Sequence, residues 1–245
     1  MDTLAADNAT AVEYCVADRY ADALPLLEWA ASVCGRVLGS RHPDTLIVEG
    51  NLAVGYLNVD RWGEGMALLQ ANLAGREHVL GDEHPATLAA RDATACALRR
   101  SGQLTDAAAL ASRVTTQRIR VLGPAHPDTL TSRQGLALVR ADQDDHETAA
   151  NLLAAALADA ATSAGSDGEL ILVMRANLAH CQHRSGRTAQ AIAGLQSAVR
   201  DATELLGADH ADTHALRNEL NELLPHDRTP PAVVEQVASR SQQRT

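Results

Sequence analysis

The stretch LGSRHPDTL at 38–46 returns as LGDEHPATL at 80–88 and LGPAHPDTL at 122–130, each copy 42 residues after the last. The same spacing leads to AGSDGELIL at 164–172, which has lost the His and Pro, and to LGADHADTH at 206–214, which keeps His210, Asp212 and Thr213. A glycine therefore stands at 39, 81, 123, 165 and 207 without one insertion. Self-similarity at such a period marks a chain of stacked supersecondary units, none of which covers its own apolar face alone.

Further columns obey the period. Alanine recurs at Ala11, Ala53, Ala95, Ala137 and Ala179, and a turn residue at Asp18, Asp60, Gly102, Asp144 and Gly186. Five residues after the turn comes a second small column, Ala23, Gly65, Ala107, Ala149 and Ala191. Apolar residues recur at three and four on both sides of the turn, as in Leu46, Leu52, Ala53 and Tyr56, then Met66, Leu68, Leu69 and Leu73. That is the period of an amphipathic helix. Small residues at crossing points let two helices approach closely, and Gly or Asp suits the backbone that ends a helix. Each unit reads as a helical hairpin.

The fold class is all-α. First helices are expected near 3–17, 43–58, 85–100, 127–141 and 169–184. Second helices are expected near 20–37, 62–79, 104–121, 145–163 and 188–205. A last helix over 211–224 has no partner and carries Arg217, Asn218, Glu219 and Glu222 on its outer side, as a polar cap would. The array thus spans 1–224, in repeats near 1–38, 39–80, 81–122, 123–164 and 165–206 with a capping helix in 207–224. The segment 225–245 is polar and Pro-containing and reads as a disordered tail, with a short helix over 231–239.

Composition agrees and excludes several classes. Aromatics are 2% of the 245 residues, Phe is absent and all 21 basic residues are Arg. Such a bias is what GC-rich bacterial genomes, those of actinobacteria among them, produce. Formal charge is −10, so no global field draws nucleic acid or anionic lipid. The start, MDTLAADNAT, lacks the basic region of a signal peptide, and no apolar run is long enough to span a bilayer; the expected location is cytoplasmic. Cys15, Cys34, Cys96 and Cys181 lie far apart with no CxxC pair and read as small buried fillers.

The interval 38–81, with LGxxHPDTLxxxxNLAxxYxxxxRWxEGMxLL, resembles the 42-residue tetratricopeptide repeats of kinesin light chains and their bacterial relatives. RYADALPLLEWA at 19–30 is similar to the second-helix signature. Departures occur where Ala93 and Gly135 replace the Asn of NLA, and where His146 and Thr188 stand in the column of Tyr20 and Trp62.

The resemblance implies a right-handed superhelical solenoid whose first helices line a concave groove that takes a peptide segment of another protein. Carried onto this chain, the groove-facing positions are Asn8, Asn51, Asn58, Asp92, Arg99, Arg100, Gln134, Asp142, Asn177, His180, Arg184 and Asn218. Amides pair with an extended backbone and Arg clamps carboxylates; the same residues also suit a plain solvated face.

No catalytic motif or phosphate loop is present, so neither enzyme activity nor a cofactor is expected. His42, His84, His126 and His210 sit on separate turns, too far apart for one metal. Their stretch reads as a helix start, with Pro in the first turn and Asp and Thr supplying charge and cap. HCQH at 180–183 places two His on one face but lacks a third ligand. The expected role is a non-catalytic scaffold. The alternative is a regulatory module acting in trans on a signalling ATPase, a transcriptional regulator or a biosynthetic enzyme. Self-association through the terminal repeats is a further possibility.

Overall fold

The computed structural model describes residues 2–162 and 168–224, with side chains from residue 9 onward. Residues 163–167 and 225–245 lie outside the described residues, and with them the disordered tail and the helix expected over 231–239. Among the described residues there are eleven helices and no strand. First helices are α1 (Asp2–Val16), α3 (Pro43–Asn58), α5 (Pro85–Arg100), α7 (Pro127–Asp142) and α9 (Gly168–Arg184). Second helices are α2 (Tyr20–Val37), α4 (Trp62–Leu80), α6 (Leu104–Leu122), α8 (His146–Ala160) and α10 (Thr188–Leu205), and α11 (Ala211–Leu223) ends the array. Only α8 departs noticeably from its expected span, stopping at Ala160 rather than 163.

The hairpin turns explain their residues. Asp18, Asp60 and Asp144 have φ of 56°, 62° and 61°, and Gly102 and Gly186 have φ of 79° and 82°. Left-handed backbone is open to Gly and tolerated by Asp, whose short side chain bonds locally.

Helix starts correct one expectation. The residue that caps α3, α5, α7 and α11 is the His itself, in extended backbone. Its Nδ1 accepts from the backbone N–H two residues on: Asp44 to His42, Ala86 to His84, Asp128 to His126 and Asp212 to His210, at 3.2, 3.1, 3.1 and 3.3 Å. Thr does a different job. Buried Thr45 and Thr213 donate backwards to the carbonyls of Gly39 and Gly207 at 2.8 and 2.9 Å, tying α3 and α11 to the preceding turn.

The core is continuous and built from the small columns. Ala11, Ala53, Ala95, Ala137 and Ala179 are buried, as are Ala23, Ala107, Ala149 and Ala191. At Gly65 the fit leaves no room: a Cβ there would lie 2.7 Å from Leu57 Cδ2. Large aliphatics fill the intervening layers, including Leu27, Leu69, Leu153 and Leu195.

A column of arginines ties the two helices in the third, fourth and fifth hairpins. Arg91, Arg133 and Arg175 on first helices bond Gln117, Asp159 and Asp201 on the second helices, always 26 residues on. Arg91 also pairs with Glu77 and Asp82 and is completely buried. Arg91, Arg133 and Arg217 also donate to the carbonyls of Asp82, Pro124 and Ala208, nine residues back. Arg217 and Glu219, expected on the outer side of α11, are half-buried. A second pair, Arg76 and Arg118, reaches across to the next first helix, at the carbonyls of Ala86 and Asp128.

The array has an inner and an outer side. Each first helix packs on the first helix of the next repeat (α1 on α3, α3 on α5, α5 on α7, α7 on α9), and no pair of second helices packs comparably. The first helices therefore line the inside of the curve.

Candidate functional site

The inner face divides into three stretches. At its N-terminal end, Val12, Cys15, Val16, Asp18, Tyr20, Asn51 and Val54 line a cavity of about 390 Å³ between α1 and α3. Val12 and Val54 are over a third exposed and Val16 more than four-fifths, so this end is largely apolar, with Asn51 as its amide. The side chain of Asn8 lies outside the described residues.

The central stretch brings most of the expected polar positions together, chiefly with one another. Arg100 of α5 donates to the Asn58 Oδ1 of α3 at 3.3 Å and lies over the Trp62 ring at 4.9 Å. Asn58 in turn donates to the Val54 carbonyl. Arg99 pairs with Asp142 of α7 at 2.9 Å. Asp92 pairs with Arg118 at 2.7 Å and accepts from the Ser132 hydroxyl. Burial pushes its carboxyl above the usual range, against the pull of Arg118 and Ser132. Asp92 is thus held inside the seam, while Gln134 stands half-buried beside it. These ladders join residues 40 to 43 positions apart, one repeat to the next.

At the C-terminal stretch Asn177 is half-buried and His180 and Arg184 are exposed. The His180 ring stands edge-on to His146, with centroids 6.3 Å apart. Arg184 and His146 both approach Asp144 Oδ1, at 3.8 and 3.7 Å. His180 presents an outer edge to solvent, yet burial of its inner face, with His146, Arg184 and His183, holds its pKa below the ordinary imidazole value. His183 contacts Thr188 Oγ1 at 3.0 Å. Asn218 is exposed on α11 and carries the polar column to the end of the array.

Two features were not legible in the sequence reading. Cys96 is exposed on the inner face, rather than a buried filler; Cys34 and Cys181 are buried and Cys15 half-buried. Its position in the column of Val12, Val54 and Leu138 was the available signal. The second feature is the seam between α5 and α7, where Ala93 and Gly135 leave space. Among the described residues no group of three His, Cys, Asp or Glu is placed to hold a metal ion, and no helix is long and apolar enough to cross a membrane.

The tetratricopeptide-repeat profile matches residues 8–44, 50–86 and 97–161. The fold is similar to the nearly identical kinesin light chain TPR-like repeats of Podosopora anserina, with TM-score 0.71, 25% identity, and coverage of 82% of this chain and 96% of that one. It is also similar to the apo quorum sensor NprR of B. thuringiensis, with TM-score 0.71, 13% identity, and coverage of 92% and 60%. A third likeness is to PlcR of Bacillus thuringiensis in complex with the peptide PapR7 and DNA, with TM-score 0.63, 14% identity, and coverage of 89% and 74%. No curated protein sequence matches the chain.

Proposed function

The chain belongs to the tetratricopeptide-repeat family, and on that premise we propose that it is a non-catalytic scaffold whose inner face binds a peptide segment of a partner protein. The observation that carries this reading is the one-sided packing of the first helices. That packing supports a concave inner surface, and on this reading Asn51, Asn58, Arg100, Asn177, His180 and Arg184 are the residues that face the peptide. Amides spaced along such a surface suit the donors and acceptors of a peptide backbone, and Arg suits its carboxylates. The pairs Arg99–Asp142 and Asp92–Arg118 hold the helices that present them.

The test is binding of an affinity-captured partner to the Asn51→Ala, Asn177→Ala, Arg184→Ala triple variant. Gln70→Ala with Gln190→Ala, on exposed second-helix positions, serves as control. The reading expects at least a tenfold loss in the triple variant and none in the control. Equal affinity in both would overturn it.

A second reading is regulation in trans of a signalling ATPase, a transcriptional regulator or a biosynthetic enzyme. Its support is the likeness in fold to NprR and PlcR. A net charge of −10 speaks against direct contact of this chain with DNA. Identification of the captured partner separates the two readings.

A further inference from the structure

The column that carries Asn51 and Asn177 in the second and fifth repeats carries Ala93 and Gly135 in the two between them. A cavity of about 320 Å³ opens there between α5 and α7. Its floor is Ala95, Ala111 and Val139, all buried, and Cys96 and Leu138 form its inner walls.

Gly135 does not serve close packing. Of the first-helix glycines, a Cβ at Gly50, Gly55 or Gly168 would meet a side chain at 3.3 Å or less, whereas at Gly135 nothing lies within 4 Å. A glycine inside a helix is less favourable than an alanine, and at Gly135 no neighbouring atom requires it. What it leaves is open space facing the groove.

The charges around this space are already matched. Asp92, at one end, is neutralised by Arg118, and Arg99, at the other, by Asp142. Asp92 and Arg99 are two helical turns apart, roughly 10 Å. Of the other polar groups in the lining, the Ser132 hydroxyl already donates to Asp92 and that of Thr131 to the Pro127 carbonyl, which leaves the Gln134 amide; the rest is methyl, methylene and thiol. A charged occupant would lose hydration there with no free counter-charge to meet it, whereas an apolar one gains from leaving water.

We propose that the α5/α7 seam takes a bulky apolar side chain, leucine- or phenylalanine-like, from the partner segment. This inference rests on the groove reading for the identity of the ligand, but the pocket's preference is measurable without any partner. Exposed Cys96 supplies the handle. In a Cys15→Ser background, the full chain is equilibrated with small mixed disulfides bearing phenethyl, hydroxyethyl or aminoethyl groups. The Cys96 thiolate displaces one half of the reagent as free thiol and forms the new disulfide, so no oxidant is needed.

At matched thiol concentration the phenethyl group is captured several-fold more than either polar group, by intact mass. Gly135→Leu, or Ala93→Leu from the facing wall, brings the ratio to about one while the helical signal and Tm are retained. Equal capture of the three groups by the parent, an aminoethyl preference, or a phenethyl preference that survives both fillings would overturn the proposal. If capture behaves as expected but the triple groove variant binds its partner undiminished, the pocket stands and the peptide-groove reading falls.

Discussion

Arg99 and Asp142 are 43 residues apart in the chain and 2.9 Å apart in space. The pair fastens α5 to α7 on the inner face, beside the open seam. Arg99 is about a quarter exposed and Asp142 about two-fifths, so water screens much of the attraction. A double-mutant cycle with Arg99→Ala and Asp142→Ala should give a coupling of about 0.2–1 kcal/mol that shrinks in high salt. A coupling above 2 kcal/mol would mean that the pair is desolvated in solution.

The buried arginine column behaves differently along its length. Arg91 is fully buried and bonds Glu77, Asp82 and Gln117, so Arg91→Ala should destabilise by about 2–3 kcal/mol. Arg175, a third exposed and opposite the half-exposed Asp201, should lose about 1 kcal/mol or less on the same change. Denaturant midpoints of the two variants decide it; equal losses would show that burial does not set the difference.

The hairpin turns predict unequal costs for two conservative changes. Gly102→Ala places a Cβ at φ 79° and should cost about 1 kcal/mol. Asp144→Gly, at φ 61°, removes that strain and also removes a carboxylate from His146 and Arg184. Its net change should stay within about 0.5 kcal/mol. Thermal unfolding of both variants is the measurement.

Helix capping by histidine predicts a loss of about 0.5–2 kcal/mol for His84→Ala, with most of it restored by His84→Asn, whose carbonyl also accepts the Ala86 N–H. If asparagine does no better than alanine, the imidazole acts by something other than its Nδ1 lone pair.

Acid should weaken the C-terminal stretch. The folded-state pKa of His180 lies below its ordinary value near 6.5, so below that pH the unfolded chain binds more protons than the folded one. Stability therefore falls as pH drops from about 6.5 through the folded-state value, and the penalty is absent above about 6.5. Tm measured from pH 7.5 to 5 should show this slope, reduced in His180→Gln; an unchanged slope in the variant would refute the assignment.

The helices and their order were legible because several independent signals repeat together. The glycine, the His-Pro start and the two small columns each return every 42 residues, and a helix that misplaced one would misplace all. The chemistry within that frame was less so. The period of Arg91, Arg133, Arg175 and Arg217 was present in the sequence, but only the folded hairpin brings the residues 26 positions on within reach. His seldom caps helices, so its role was assigned to the neighbouring Asp and Thr. Arg99, Arg100 and Asp92 read as groove-facing from the period, which does not reveal their partners, one repeat away or on the following second helix. Periodicity alone does not tell a solvent-facing charge from a paired one.

First helices pack on one another from repeat to repeat, and second helices do not pack comparably. One interval of sequence is therefore laid out at two intervals of length, shorter along the inside than along the back. A ligand with evenly spaced side chains can match one of these rulers but not both. The protein thus distinguishes its two surfaces by gauge as well as by chemistry, and a segment cut to fit the groove falls out of step with the outer face after a few repeats.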